Sequence, residues 1–282
     1  HSSPRRQRQM CIRDSMNTNV HIEKYQGIIE VKLDKPKVNA IDTSMSKEIA
    51  DAFKELNEND DLRVGIITAE GSKIFSAGWD LKALNEGDIK LDQWWDDGDY
   101  GEGGFAGLTE NWSLNKPVIG ALNGLVIGGG FEIAMACDLL IASDHIEFGL
   151  PEIPLGIVPD AGALQRLPKL LPYNISMEMF LLGRRLTAQE AMNFGLVNKV
   201  VPYENLIDSA REWARKISKS APLAIQSIKE VLRSTESMSV KEKFDLIRNG
   251  KLDIYNKMLK SEDAAEGVRA WVEKRQPVFK GK

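Results

Sequence analysis

Residues 123–160, NGLVIGGGFEIAMACDLLIASDHIEFGLPEIPLGIVPD, constrain the chain more than any other stretch. Three consecutive glycines, Gly128, Gly129 and Gly130, stand between an apolar strand-like run at 118–122 and an apolar helical run that opens with Phe131 and Glu132. Strand, glycine turn and helix start is the order of an anion-binding turn. Glycine lets the backbone approach a ligand closely, and the N–H groups and dipole at a helix N-terminus favour negative charge there. Close packing of helix on strand is the competing reading of the same triplet. A Walker A loop is excluded because no Gly-Lys-Ser/Thr follows, and GGGFE lacks the spacing of a dinucleotide fingerprint.

Two carboxylates accompany the turn. Glu132 lies inside the apolar run FEIAMACDLLIA, where a carboxylate is costly unless it is paired or functional. Glu152 follows Pro151 in a loop, twenty residues later. Two glutamates beside one oxyanion-ready turn point to proton chemistry on a carbonyl compound, since a pair of carboxyl groups can activate a water and deliver a proton.

A second motif, Phe75-Ser76-Ala77-Gly78-Trp79-Asp80-Leu81, joins the first. From residue 19 to the C-terminus the chain resembles the crotonase, or enoyl-CoA hydratase/isomerase, superfamily. The segments FSAGWDLKA at 75–83, GGFAGLTE at 103–110, LGIVPDAG at 155–162 and EKRQPVFKGK at 273–282 resemble one branch of it, whose acyl group carries a trimethylammonium. The resemblance implies an α/β fold: a β-β-α spiral core with a C-terminal helical region that supports a homotrimer or a dimer of trimers. It implies reversible syn hydration and dehydration of an acyl-CoA thioester through an oxyanion-stabilised enolate. A general short-chain enoyl-CoA hydratase is the alternative enzyme, and a non-catalytic binding protein the alternative class.

The same resemblance distributes roles. Glu132 and Glu152 are the catalytic pair. The backbone N–H groups of Trp79 and Gly129 form the oxyanion hole. Ala77, Trp79, Asp80, Leu81 and Lys82 are expected at the CoA, with Asp80 structural first. Trp79, Phe105, Phe131 and Trp112 are expected to line the acyl pocket. Asp160 departs from the glycine that many hydratases carry there. No cofactor is expected beyond the CoA of the substrate, and no cluster has metal-ligand spacing.

Composition narrows the partners. A net charge of −4 argues against a nucleic-acid surface. No uncharged apolar stretch reaches the length of a membrane span. Two cysteines, Cys11 and Cys137, give no disulfide framework. The reading is of a cytoplasmic enzyme. Residues 1–15 carry four arginines and no apolar periodicity and are set aside as an extraneous leader, with a transit peptide as the other reading and a native start expected at Met16.

In chain order, residues 20–25 and 28–33 read as strands around a Gln26-Gly27 turn. A helix follows at 44–57, capped by Asp42 or Thr43, then a buried strand at 63–68. Residues 85–107 form an irregular span rich in acids and aromatics, including Trp94, Trp95 and Tyr100. Helices at 162–170 and 174–182 are expected to break at Pro168 and Pro172. Thr187 and Glu190 form a capping box, and 196–201 is a last strand. Helices are expected at 204–219, 222–234, 239–259 and 262–274. The spiral core is placed at 16–202 and the helical region at 203–282.

Overall fold

The structure, a computed structural model, describes residues 19–86 and 100–282. Cys11, the leader, and Asp92, Trp94, Trp95, Asp96, Asp97 and Asp99 lie outside the described residues. Two strands open the fold, β1 (Val20–Tyr25) and β2 (Ile28–Leu33), paired antiparallel around the expected Gln26-Gly27 turn. A short strand β3 (Ala40–Ile41) leads into α1 (Thr43–Glu58), whose N-cap is Asp42, accepting from Met45 N.

Then the chain repeats itself. β4 (Val64–Ala69) is followed by β5 (Ile74–Ser76), β7 (Val118–Leu122) by β8 (Leu125–Ile127), and β9 (Leu139–Ser143) by β10 (Glu147–Gly149). Among the described residues the first member of each pair joins a sheet ordered β1-β2-β4-β7-β9-β12, and the second a sheet ordered β11-β10-β8-β5. Here β11 is Leu186–Thr187 and β12 is Lys199–Val201. Each turn of the chain thus lays one strand in each sheet, which is a β-β-α spiral. The strands from β2 to β12 in the large sheet run parallel. Parallel strands covered on both faces read as unbroken apolar runs, and every residue of β4 and β7 is buried.

The two faces of the large sheet fill different cores. Ile29, Val31, Leu33, Ile67 and Leu122 face the second sheet in the main core. Ile28, Val64, Ile66, Ile119 and Ile141 face the other way, against Leu206, Ala210 and Ala214 of a helix at Leu206–Ser218. That helix also carries Arg211, whose Nε and Nη2 each reach a Glu30 carboxylate oxygen on β2 at 2.9 Å. A bidentate pair of this kind fixes orientation as well as position, so the first C-terminal helix is held as part of the sheet's cover.

Two helices and one strand differ from expectation. Pro168 lies inside the helix Ala163–Leu170 and does not end it; the helix has only a few residues left, so little of the ladder is lost to the missing N–H. The run expected at 239–259 is two helices, Val240–Arg248 and Asp253–Leu259, parted at Gly250 with φ of +69°. Glycine in the left-handed conformation just past a helix end is a strong stop. The last strand is shorter than expected and begins at Lys199. The capping box is present: the Thr187 side chain accepts from Glu190 N and the Glu190 side chain from Thr187 N.

Candidate active site

The glycine triplet sits at the N-terminus of α3 (Gly129–Ala136), and each glycine has its own reason. Gly128 has φ of +56° and, carrying a Cβ, would crowd the Glu152 Oε1 at 2.9 Å. A Cβ on Gly129 would strike the Phe105 ring at 2.7 Å, and one on Gly130 would strike the Ser76 side chain at 2.8 Å. The close-packing reading of the triplet therefore holds, and the same close approach brings the helix N-terminus to the cavity described below. The first-turn N–H groups of a helix have no partner within it, and Gly129 occupies the first position.

Opposite this terminus runs β6 (Gly78–Trp79), paired parallel with β3. Asp80 N donates to Ile41 O at 3.0 Å. Successive N–H groups of a strand face opposite edges, so that of Trp79 faces away from β3. Gly78, at φ of +84°, touches Gly129: a Cβ there would lie 2.8 Å from Gly129 Cα. The turn is held from behind. Ser76 Oγ donates to Asn39 O at 2.8 Å and accepts from Gly78 N at 3.0 Å, while Asn39 Nδ2 donates to Phe75 O at 2.9 Å. Sequence reasoning missed Asn39 and Ser76. The signal available was that Ser76 lies inside the FSAGWDL motif.

A cavity of about 90 Å³ lies between this turn, the helix terminus and residues 151–160. Ala77, Trp79, Leu81, Gly129, Glu132, Glu152 and Asp160 all line it. Its far wall is Leu155, Ile157, Val158 and Pro159, which sequence reasoning did not single out. Glu132 is 1% exposed and Glu152 is 8% exposed. Burial is the first cause of the high pKa of both carboxyls, about 8 for Glu132 and about 7 for Glu152. The Glu152 and Asp160 charges raise Glu132 further, whereas the Ala163 N–H and the Arg166 guanidinium act the other way. Asp160 also raises Glu152. Glu132 Oε1 accepts from Ala163 N at 3.0 Å, at the first residue of the helix Ala163–Leu170. Glu152 Oε2 is buried with no hydrogen-bond partner among the described residues. One carboxyl is therefore oriented by a helix terminus, and the other lines the cavity with one oxygen unpartnered among the described residues.

The remaining expected residues divide. The Asp80 side chain turns from the cavity to Lys35, at 2.8 Å, and its Oδ1 accepts from Lys82 N and Ala83 N at 3.2 Å. It thereby caps α2 (Leu81–Glu86), and the Lys35 contact holds its carboxyl below the usual range. Lys82 is exposed. Of the four residues expected at the acyl pocket, Trp79 lines this cavity and the other three lie elsewhere. Phe131 is fully buried and packs on Phe148, with ring centroids 5.2 Å apart, because its place in the first turn of α3 aims it into the core. Phe105 is buried behind Trp79, stacked at 4.0 Å. Trp112 is 63% exposed in a separate groove with Asp138, Arg166 and Lys229. Tyr100, also buried, packs near-perpendicular to Trp79 with ring centroids 4.6 Å apart. Asp138 is structural, accepting from Val118 N at 2.8 Å and from Lys229 Nζ at 2.7 Å. His145 is exposed and bonds Ser72 O. Among the described residues no group of His, Cys, Asp and Glu is placed to hold a metal ion, and no helix is long and apolar enough to cross a membrane.

Comparison with known proteins gives the same picture. The family model for enoyl-CoA hydratase/isomerase matches residues 23–282. A carnitinyl-CoA dehydratase of Citrobacter koseri is 50% identical over 95% of this chain and 100% of its own. One from Salmonella arizonae is 51% identical over 94% of this chain and 100% of its own. Among solved structures, an enoyl-CoA hydratase of Mycobacterium tuberculosis superposes with a TM-score of 0.83 at 34% identity, covering 94% of this chain and 100% of that one. One of Bacillus anthracis gives 0.82 at 31% identity, covering 94% of this chain and 100% of that one. With the spiral, the double-backbone turn and the buried glutamates in place, these matches leave one assignment: the chain belongs to the enoyl-CoA hydratase/isomerase family, the crotonases.

Proposed function

We propose that this protein is a hydro-lyase that interconverts carnitinyl-CoA and crotonobetainyl-CoA. The observation that carries the reading is the pair of buried carboxyls, Glu132 and Glu152, on one cavity with the N-terminus of α3. In the hydration direction, water oxygen bonds to Cβ of the enoyl thioester as the Cα–Cβ double bond opens. The electron pair moves onto the thioester oxygen and returns as Cα takes a proton. The water loses one proton to an ionised carboxylate while the partner carboxylic acid supplies the proton to Cα. Such a pair works best with one proton shared between its members near neutral pH, and values of about 8 and about 7 favour that state. The Trp79 and Gly129 N–H groups stabilise the oxyanion, each worth roughly 3–4 kcal/mol by analogy with oxyanion-hole deletions.

The acyl group is inferred from the relatives named carnitinyl-CoA dehydratase and from the aromatic ring of Trp79 on the cavity. A trimethylammonium offers no hydrogen bond, so its recognition draws on aromatic faces and carboxylates, each cation–π contact contributing about 0.5–2 kcal/mol. The CoA lies against Ala77, Trp79 and Leu81, which all border the cavity. The assembly is a homotrimer or a dimer of trimers in the cytoplasm, with no nucleic acid as partner and no cofactor beyond the CoA moiety. The test is kcat/KM for crotonobetainyl-CoA against crotonyl-CoA, expected to differ by at least about tenfold in favour of the cation. Equal efficiency would leave the alternative reading, a general short-chain enoyl-CoA hydratase.

A further inference from the structure

The cavity holds one more carboxyl than hydration needs. Asp160 lines it together with Glu132 and Glu152. Its charge acts on both glutamates and on the Tyr100 phenol, so it lies within electrostatic reach of three groups around one space. Tyr100 in turn packs near-perpendicular to Trp79, which lines the cavity. A cation in that space meets three carboxyl groups, of which hydration uses two. A second observation points to an occupant: Glu152, which lines this cavity, is more than nine-tenths buried and has a carboxylate oxygen without a hydrogen-bond partner among the described residues.

On the mechanism proposed above, the Trp79–Gly129 turn takes the thioester oxygen and Glu132 and Glu152 serve Cα and Cβ, and all four residues line the cavity. The quaternary nitrogen is only one carbon beyond Cβ, so a counter-charge for it must belong to this same small space and not to a remote subsite. Resting on the substrate reading above, we infer that Asp160 is the counter-ion of the acyl cation, with Trp79 as its aromatic neighbour, and that it determines the preference for a cationic acyl group over a neutral one. Asp160 would touch the substrate without moving a proton.

The experiment separates charge from shape. The probes are crotonobetainyl-CoA and its tert-butyl isostere, in which carbon replaces the quaternary nitrogen. Both have the same bulk, and only one carries charge. The quantity read is the ratio of their kcat/KM values in the native enzyme, in Asp160→Asn and in Asp160→Glu. Any effect of Asp160 on the protonation of the glutamates falls on both substrates and cancels in the ratio. The expected result is a native ratio of at least about tenfold, lost in Asp160→Asn and largely kept in Asp160→Glu. Inhibition constants of the saturated trimethylammoniobutyryl-CoA and its tert-butyl isostere, neither of which can react, should show the same loss as a binding effect. A native ratio well above one that survives in Asp160→Asn overturns the assignment of Asp160 and leaves the substrate reading standing. A native ratio near one overturns the substrate reading itself, and the role of Asp160 with it.

Discussion

The sharpest test of the oxyanion turn is Gly78→Ala. Gly78 has φ of +84°, and a Cβ there would come within 2.8 Å of Gly129 Cα and closer still to its nitrogen. The added methyl meets backbone, not a flexible side chain, so α3 or β6 must move. Either movement displaces one of the two N–H groups proposed as oxyanion donors. Loss of one such donor lowers kcat by about 10²- to 10³-fold in other acyl-transfer sites, and that is the expected loss here. The left-handed conformation itself adds a stability cost of about 1–2 kcal/mol for a residue with a side chain. Gly71→Ala is the control, because Gly71 has a similar φ of +76° with nothing within 4 Å of its would-be Cβ. It should lower the melting temperature through strain alone and leave turnover near native. The assay is loss of enoyl-thioester absorbance on hydration, with a circular dichroism melt of each variant. A folded Gly78→Ala enzyme with turnover within a factor of three of native would refute the reasoning.

Glu132→Gln and Glu152→Gln should each lower kcat by at least about 10²-fold, with little change in the affinity for a saturated acyl-CoA measured by calorimetry; near-native turnover of either variant removes that residue from the chemistry. The same substitutions should raise stability at neutral and alkaline pH. The glutamates have folded pKa values of about 8 and about 7, above the ordinary 4.5, so the folded state binds more protons than the unfolded between those limits. Stability from this source is full below 4.5 and is lost as pH rises through the folded values. The melting-temperature advantage of the variants should therefore grow from pH 5 to pH 8, and an advantage that shrinks over that range would contradict the raised values. Exposed apolar residues on the helices from Ala163 onward, among them Leu182, Val268 and Trp271, leave surface that a second copy can cover; light scattering at micromolar concentration should give a trimer or a hexamer, and a monomer mass would count against the assembly.

What could be read from the sequence was what depends on neighbours along the chain. The Gln26-Gly27 turn, the Asp42 cap and the Thr187–Glu190 capping box each need three or four residues, and each is present. Glu132 was legible because a carboxylate in an apolar helix is an anomaly that needs a cause, whereas Glu152, in a loop, was legible only through the motif around it. What could not be read was the direction of side chains set by contacts distant in sequence. Phe105, Phe131 and Trp112 all looked fit for a pocket by type. Their side chains end up behind Trp79, against Phe148 and out in solvent, because packing between elements decides the aim. The Ala163 N–H on Glu132 spans thirty-one residues of sequence and has no local signature.

The two kinds of wall around the cavity explain why a shared reaction and a variable substrate can coexist in one fold. The chemical wall is backbone and buried carboxyl: Gly78 against Gly129, Ser76 and Asn39 bracing the turn, Ala163 orienting Glu132. Each of these contacts is made at van der Waals or hydrogen-bond distance, so a change of even one methyl must shift a donor. The opposite wall is looser. Leu155 is 54% exposed and Val158 is 47% exposed in the single chain, and both border the cavity. Half-exposed side chains on a short helical turn and loop can change in size with little cost to the core, since each loses few packed neighbours. Asp160 stands where the two walls meet, two residues from Val158 and three from Ala163. A substitution there can alter the charge offered to the acyl group while the Ala163 N–H, on the backbone beyond it, keeps Glu132 in place.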